Sequence, residues 1–326
     1  MKEATYYEKV DGKVKCLVCP HYCVLAEGKV GICRGRKNID GKLYAVNYGE
    51  TCSVALDPIE KKPLYHFYPG SNIFSVSPNG CNLSCPFCQN WEISQGKVPT
   101  QYIEPTELAE LAKRYNSIGV AYTYAEPLVW YDYLLDVGEE CHKHKLKNVL
   151  VTNGMINEEP LRKLLPLIDA MNIDLKSMDE KFYKEFVKGD LEAVLNTITI
   201  AKKSCHIELT NLLIPTKNDS DSDITKLVDW IAELGDDTPL HFSRYFPHYK
   251  FRVETTPEAT LRKAWELAKK KLKYVYVGNI QIEGSSNTIC PNCGTLLIER
   301  GWFASRITNL KGKNCGNCGY EINIVV

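Results

Sequence analysis

The chain has no excess charge of either sign. Its forty lysines and arginines balance forty acidic residues, so no overall field draws in nucleic acid or an anionic membrane. No apolar run approaches the roughly 20 residues a membrane-spanning helix needs. The opening stretch MKEATYYEKVDGK lacks the apolar core of a signal peptide. A cytoplasmic protein without membrane contact is therefore expected, and the neutral balance argues against nucleic acid as a partner. Dinucleotide and nucleoside-triphosphate motifs are missing too: neither G-x-G-x-x-G nor G-x4-G-K-[ST] follows any strand-like run. What remains is an ordinary soluble composition, 44% hydrophobic and 25% charged over 326 residues.

Cysteine departs from that pattern. There are fourteen, and most fall into three clusters: Cys16, Cys19, Cys23 and Cys33; Cys81, Cys85 and Cys88; and Cys290, Cys293, Cys315 and Cys318. Without an export signal, such clusters point to metal rather than to disulfides. Cys141 and Cys205 lie in helix-like or strand-like context and read as core; Cys52 has no clear assignment.

From residue 72 to 278, strand-like runs alternate with helix-like ones: NIFSVS, GVAYTY, NVLVT, AMNIDL, HIELTNLLI, PLHFSRY and KYVYVG are separated by helical patterns. This alternation predicts βαβ units on a parallel sheet. A partial (β/α)6 TIM-like barrel fits best, with a Rossmann-like sheet as runner-up. The expected organisation is an N-terminal cysteine-rich extension over 1–70, the barrel over 71–284 and a zinc ribbon over 285–326. Polar residues gather where the strands end: the three central cysteines, Glu126, Thr152 and Asn153 with Gly154, Asp174 and Lys176, Glu208 with Thr210 and Asn211, Arg244 and His248, Gly278 and Asn279. In parallel barrels the site is built at that end, so one large polar pocket around a metal is expected.

The three clusters differ in what they leave open. CPNCG and CGNCG, at 290–294 and 315–319, are two C-x2-C knuckles that supply four thiolates to a tetrahedral ion. That is a closed structural zinc site, with a rubredoxin-like iron as the alternative. CLVCPHYC with Cys33 is less regular and suits zinc or an iron–sulfur cluster, with His21 as a further ligand candidate. GCNLSCPFCQNW (80–91) brings only three cysteines together. Three thiolates on a [4Fe–4S] cluster leave one iron open to a small molecule; the other reading is a zinc ion completed by a distant histidine or aspartate.

The C-x3-C-x2-C of Cys81, Cys85 and Cys88, with the aromatic Phe87 before the last cysteine, resembles that of radical S-adenosylmethionine (SAM) enzymes. The resemblance implies that SAM chelates the open iron and that one electron from the cluster releases a 5′-deoxyadenosyl radical, which abstracts a hydrogen from substrate. YAEP is similar to the family's G-G-E-P through Glu126 and Pro127, with Tyr124 and Ala125 in place of the glycines. VTNG (Thr152, Asn153) and NIDLK (Asp174, Lys176) resemble motifs of pyruvate formate-lyase activating enzymes, and FPH resembles their late P-x-H. Phe87, Glu126, Thr152, Asn153, Asp174, Lys176 and His248 are thereby implied as SAM contacts. DPIEKKPLYHFYPG (57–70), together with the cysteine motifs, further resembles the radical enzyme of the AmmeMemoRadiSam system. That implies AMMECR1-domain and Memo-like proteins as partners, and the chemistry implies an electron donor such as ferredoxin or flavodoxin. The resemblance leaves the substrate open, small molecule or protein, and a glycyl-radical-enzyme activating role is the alternative. The 57–70 segment reads either as a packed cover or as a lid that brings His66 or Tyr65 to the substrate. A function of another class, a metal-stabilised nucleic-acid or protein binding module, would use a basic surface of Arg300, Arg306, Lys311 and Lys313.

Overall fold

The computed structural model describes residues 1–301 and 304–326. At its centre is a mixed sheet whose β1 (Glu50–Pro58) runs antiparallel to β2 (Asn72–Pro78). Parallel to β2 follow β3 (Gly119–Tyr122), β4 (Lys147–Thr152), β5 (Ala170–Asp174), β6 (His206–Leu213), β7 (Leu240–Arg244) and β8 (Val275–Gly278). Each parallel strand neighbours the next in the chain, and Gln101–Tyr102 extends the far edge beyond β1. A doubly wound sheet reverses direction at a switch point, and this order never reverses. The crossovers are α1 (Pro105–Arg114), α2 (Tyr131–Lys143), α3 (Glu158–Leu164), α4 (Leu191–Ala201), α5 (Asp221–Gly235) and α6 (Glu258–Ala268). With the usual right-handed crossover, an unreversed order gathers them on one face.

Local chemistry fixes these elements. The strands are rich in Val, Ile and Tyr and are buried almost throughout, as parallel strands covered on both faces must be. Asp190 caps α4 by accepting from Ala193 N, and Ser220 caps α5 by accepting from Asp223 N. The first 45 residues form two small antiparallel sheets. The buried ion pair Arg36–Asp132 anchors them to α2, and the Thr5 backbone and hydroxyl donate to the same carboxylate.

The segment expected as an extension thus also supplies β1 to the sheet. Residues 59–70 run under the sheet: Ile59, Leu64 and Phe67 pack with Ile73, Ala121, Val149 and Ala170. At the other edge, the C-terminal module folds as a three-stranded sheet, Thr288–Ile289, Leu296–Arg300 and Ser305–Ile307, and a two-stranded one, Leu310–Lys311 with Asn314–Cys315. Leu297, Ile298, Ile322 and Ile324 pack there against Tyr274 and Tyr276, on and beside β8. Val325 closes the arrangement, donating to His66 O and accepting from Tyr68 N.

Candidate functional site

The loops that follow β2 to β5 converge on one cavity of about 290 Å³. Cys81, Cys85 and Cys88 line it beside Glu126, Thr152, Asn153, Asp174 and Lys176. These residues come from four separate strand ends, as the motif reading expects. Glu126 ties two of the loops together. Its carboxylate accepts from Thr152 Oγ1 (2.6 Å), Asn153 N (2.8 Å) and Leu128 N (3.0 Å). Burial pushes its carboxyl up to about 7, against those hydrogen bonds. Asn153 continues the chain by donating to Asn82 Oδ1 at 2.8 Å, which orients the loop that carries Cys81. Lys176 pairs with Asp174 at 2.8 Å. Burial disfavours its charge, but Asp174 outweighs that and holds the lysine pKa above its usual value.

The donor set fits an iron–sulfur cluster with a vacant position. Three soft thiols face the cavity, and no fourth cysteine or histidine lines it. No three ligand atoms of this group fall within 4.8 Å of one another, so they are too spread for a single ion and suit a larger inorganic core. The cationic Lys176 and the polar Asn153 and Thr152, which line the same cavity, suit the carboxylate and amino groups of a bound amino-acid moiety.

Phe87 and His248 are not among the residues lining this cavity. Phe87 is buried against Phe186, ring centroids 5.4 Å apart. His248 lies on the segment after β7, where its carbonyl accepts from Phe251 N. On the same segment Tyr249 stacks on Trp91 at 5.1 Å.

A buried ionic network, unforeseen from the sequence, supports the site from below. Lys62, 1% exposed, pairs with Asp57 at 2.7 Å. Lys61 reaches the other oxygen of Asp57 at 3.1 Å, and the Tyr124 hydroxyl donates to Asp57 as well. Burial alone would raise the Asp57 carboxyl; Lys62 and Tyr124 overcome it and hold the group well below the usual carboxylate range. Tyr124 occupies the position of the first glycine in G-G-E-P and has φ +66°, a conformation that disfavours any side chain. Its ring lies against Lys62, 4.5 Å from Nζ, so two tethers to the 57–70 segment hold the strained residue in place.

The other cysteine groups contrast with each other. Cys290, Cys293, Cys315 and Cys318 place their sulfurs within 4.8 Å of one another, with pairs at 3.6 and 3.7 Å. Four sulfurs bonded to one zinc at ~2.3 Å stand about 3.8 Å apart, so this set suits a mononuclear tetrahedral ion. Cys16, Cys19, Cys23 and Cys33 surround a small cavity with His21, Arg36 and Asn82, yet no three of these sulfurs come within 4.8 Å of each other. This second group abuts the central loop: His21 Nε2 bonds Asn82 O at 2.6 Å. A Cβ on Gly80 (φ +143°) would meet Cys33 O at 2.5 Å.

Two expectations need correction. Glu208 is not a strand-end residue facing the pocket. It is the third residue of β6 and fully enclosed, and it accepts from His241 Nε2 (2.6 Å), His206 Nε2 (3.1 Å) and His66 N (2.6 Å). Burial would raise its carboxyl, but the two histidines hold it well below the usual range. Arg300 does not belong to a basic surface either. It is 7% exposed and turned inward, bonding Thr288 Oγ1, Ser286 O and Tyr65 O. Tyr65, one of its partners, lies 235 residues away in the chain, a contact the LIER pattern cannot show.

An α/β fold with an unreversed parallel sheet and three thiols at its strand ends defines the class of the protein, and comparison places it. The radical SAM superfamily pattern matches residues 75–231. The chain is 48% identical, over the full length of both, to an uncharacterized protein of Methanocaldococcus jannaschii. A pyruvate formate-lyase-activating enzyme of Listeria monocytogenes is 27% identical over 49% of this chain and 70% of its own. A 4-hydroxyphenylacetate decarboxylase activating enzyme of Clostridium scatologenes is 28% identical over 35% and 37% respectively. Among solved structures, Streptococcus suis SuiB bound to S-adenosylmethionine superposes with a TM-score of 0.51 at 16% identity, over 62% of this chain and 49% of that one, a likeness of fold alone. The chain belongs to the radical SAM superfamily and is a radical SAM enzyme. That fold implies a [4Fe–4S] cluster and SAM.

Proposed function

We propose that Cys81, Cys85 and Cys88 hold the [4Fe–4S] cluster and that SAM occupies the remaining iron position in a partial (β/α)6 barrel. The observation that carries this reading is the shared cavity of three thiols, Glu126, Asn153, Asp174 and Lys176, with no fourth thiol on its wall. Bound together, cluster and SAM supply reductive cleavage of SAM and hydrogen abstraction from a substrate. The chain's own part is to hold and orient. Lys176, fixed by Asp174, meets the methionyl carboxylate, while Glu126 braces the Thr152 and Asn153 loop against Asn82. Tyr124 and the Asp57–Lys62 pair keep that loop from relaxing. The electron donor is of the ferredoxin or flavodoxin kind.

The C-terminal module is read as a zinc ribbon through Cys290, Cys293, Cys315 and Cys318. The wider spread of Cys16, Cys19, Cys23 and Cys33 favours a second iron–sulfur cluster over zinc there. Membership of the AmmeMemoRadiSam system, with AMMECR1-domain and Memo-like partners, rests on the 57–70 run together with GCNLSCPFCQNW. No helix among the described residues is long and apolar enough to cross a membrane, in keeping with a cytoplasmic site of action.

The test is anaerobic reconstitution with iron and sulfide, reduction with dithionite, and assay of 5′-deoxyadenosine. The wild-type chain should produce it, and Cys81→Ala, Cys85→Ala and Cys88→Ala should each abolish it while the ribbon's metal stays bound. Continued production by any of the three variants would refute the assignment.

A further inference from the structure

A second, larger cavity of about 590 Å³ lies beside the first and shares Lys61 with it. Four parts of the chain wall it: Thr210, His241 and Ser243 of the sheet, Glu60 and Tyr65 of the segment beneath it, the stretch 277–287 with the exposed Glu283, and Arg300 with Gly301 from the C-terminal module. A volume of this order suits a small molecule. Two of its wall residues, Arg300 and Glu60, are buried, opposite in charge and without an ion-pair partner among the described residues.

Arg300, 7% exposed, has no carboxylate within 4.0 Å among the described residues, and its buried Nε has no hydrogen-bond partner. The guanidinium bonds only neutral groups, Thr288 Oγ1 (2.7 Å), Ser286 O (3.1 Å) and Tyr65 O (2.6 Å), and lies over the Tyr65 ring. Glu60, also 7% exposed, accepts from Gly70 N (2.8 Å) and Ser305 Oγ (2.7 Å) on one oxygen, and its buried Oε2 has no partner among the described residues. Buried charges normally carry an ionic partner, because an uncompensated one costs several kcal/mol. Among the described residues each lacks one, and both line the same cavity. His241 adds a third polar group: Glu208 occupies its Nε2, and its Nδ1 has no partner among the described residues.

We infer that this cavity binds a small zwitterion of the amino-acid type, its carboxylate on Arg300 and its ammonium on Glu60. The ligand is the substrate of the neighbouring SAM site, so the inference rests on the function proposed above. The ribbon is then part of the binding site, since it supplies the anion-binding side chain.

The experiment is calorimetric titration of the anaerobically reconstituted full chain, saturated with SAM, with each of the twenty free L-amino acids. At least one should bind alongside SAM. Its α-amide and its N-acetyl derivative, which each lack one charge, should bind at least about 30-fold more weakly, the ratio expected for a buried charged contact. In Arg300→Met the acid-to-amide ratio should collapse toward one; in Glu60→Gln the amine-to-acetyl ratio should do so. A purely structural Arg300 would weaken acid and amide alike and leave the ratio intact, and that result would overturn the inference. So would SAM binding with none of the twenty binding beside it. Should Arg300→Met fail to fold, judged by loss of SAM binding, the Glu60→Gln ratio decides alone. Failure of SAM itself to bind the wild-type chain would sink the reading of the first cavity, and titration without SAM would then decide the second independently.

Discussion

Replacing Lys62 with methionine tests whether the buried pair beneath the SAM loop matters. The change keeps the volume of the stem and removes the charge, so packing is largely preserved. Asp57 would stay 5% exposed in the interior with its main counter-charge gone. Breaking one side of a buried pair costs about 3–5 kcal/mol. Two contacts remain to Asp57, the Tyr124 hydroxyl and Lys61. The Lys61 side chain is 44% exposed, so solvent screens it and its contribution is under about 1 kcal/mol. The expected loss is therefore near the lower end, about 3 kcal/mol. Urea unfolding of the metal-loaded protein should show it as a lower midpoint with an unchanged slope. Asp57→Asn combined with Lys62→Met should recover part of the loss, because the orphaned charge goes as well. SAM affinity should fall too. Tyr124, with weaker tethers, can relax from its left-handed conformation, which costs about 1–2 kcal/mol to hold, and this corresponds to roughly tenfold in Kd. A midpoint shift worth under about 1 kcal/mol, or a double variant no more stable than the single one, would show that the pair is a passive surface-type bridge and refute the reasoning.

Two further outcomes follow from other parts of the chain. Burial lowers the His66 pKa to about 4, whereas the unfolded ring titrates near 6.5. The unfolded state therefore takes up the proton first, and stability should be full above about pH 6.5 and fall by up to about 3 kcal/mol as pH drops toward 4. Unfolding midpoints between pH 7.5 and 5 should show that slope, and His66→Asn should flatten it; an unchanged slope would assign it to other groups. Cys293→Ser should remove one zinc ion per chain by elemental analysis and leave the iron content as it was; loss of one iron instead would show that the ribbon holds iron rather than zinc.

Much of the scaffold was legible because parallel strands and amphipathic helices write different periods into the chain. Each of the seven parallel strands falls on a run the alternation marks, and the loops after them carry the cysteines, Glu126, Asn153 and Lys176. What escaped depends on contacts between distant residues. Asp57 and Tyr124 meet across 67 positions, and neither has a periodic signature. Glu208 reads in sequence as one of the polar residues at the strand ends, since a carboxylate is usually exposed. Only the fold brings His206 and His241 to both its oxygens. The tautomer of His66 is readable only in the network: its Nδ1 faces the Asn323 carbonyl and must donate, so in the neutral ring Nε2 is left to accept from the Tyr276 hydroxyl, which also bonds Thr288 Oγ1.

The packing of the C-terminal module against β8 bears on how the chain can be cut. β8 is the last strand of the open sheet. Beyond it, the turn that carries Ser285 engages its backbone, the Ser285 carbonyl accepting from Val277 N. Tyr274 and Tyr276 are shielded by Leu297, Ile298 and Ile324. A truncation that ends before residue 285 would strip that cover and leave an unpaired strand flanked by bare aromatic rings. Such an edge recruits a strand from another molecule, so the shortened protein would be lost to self-association before its catalysis could be measured.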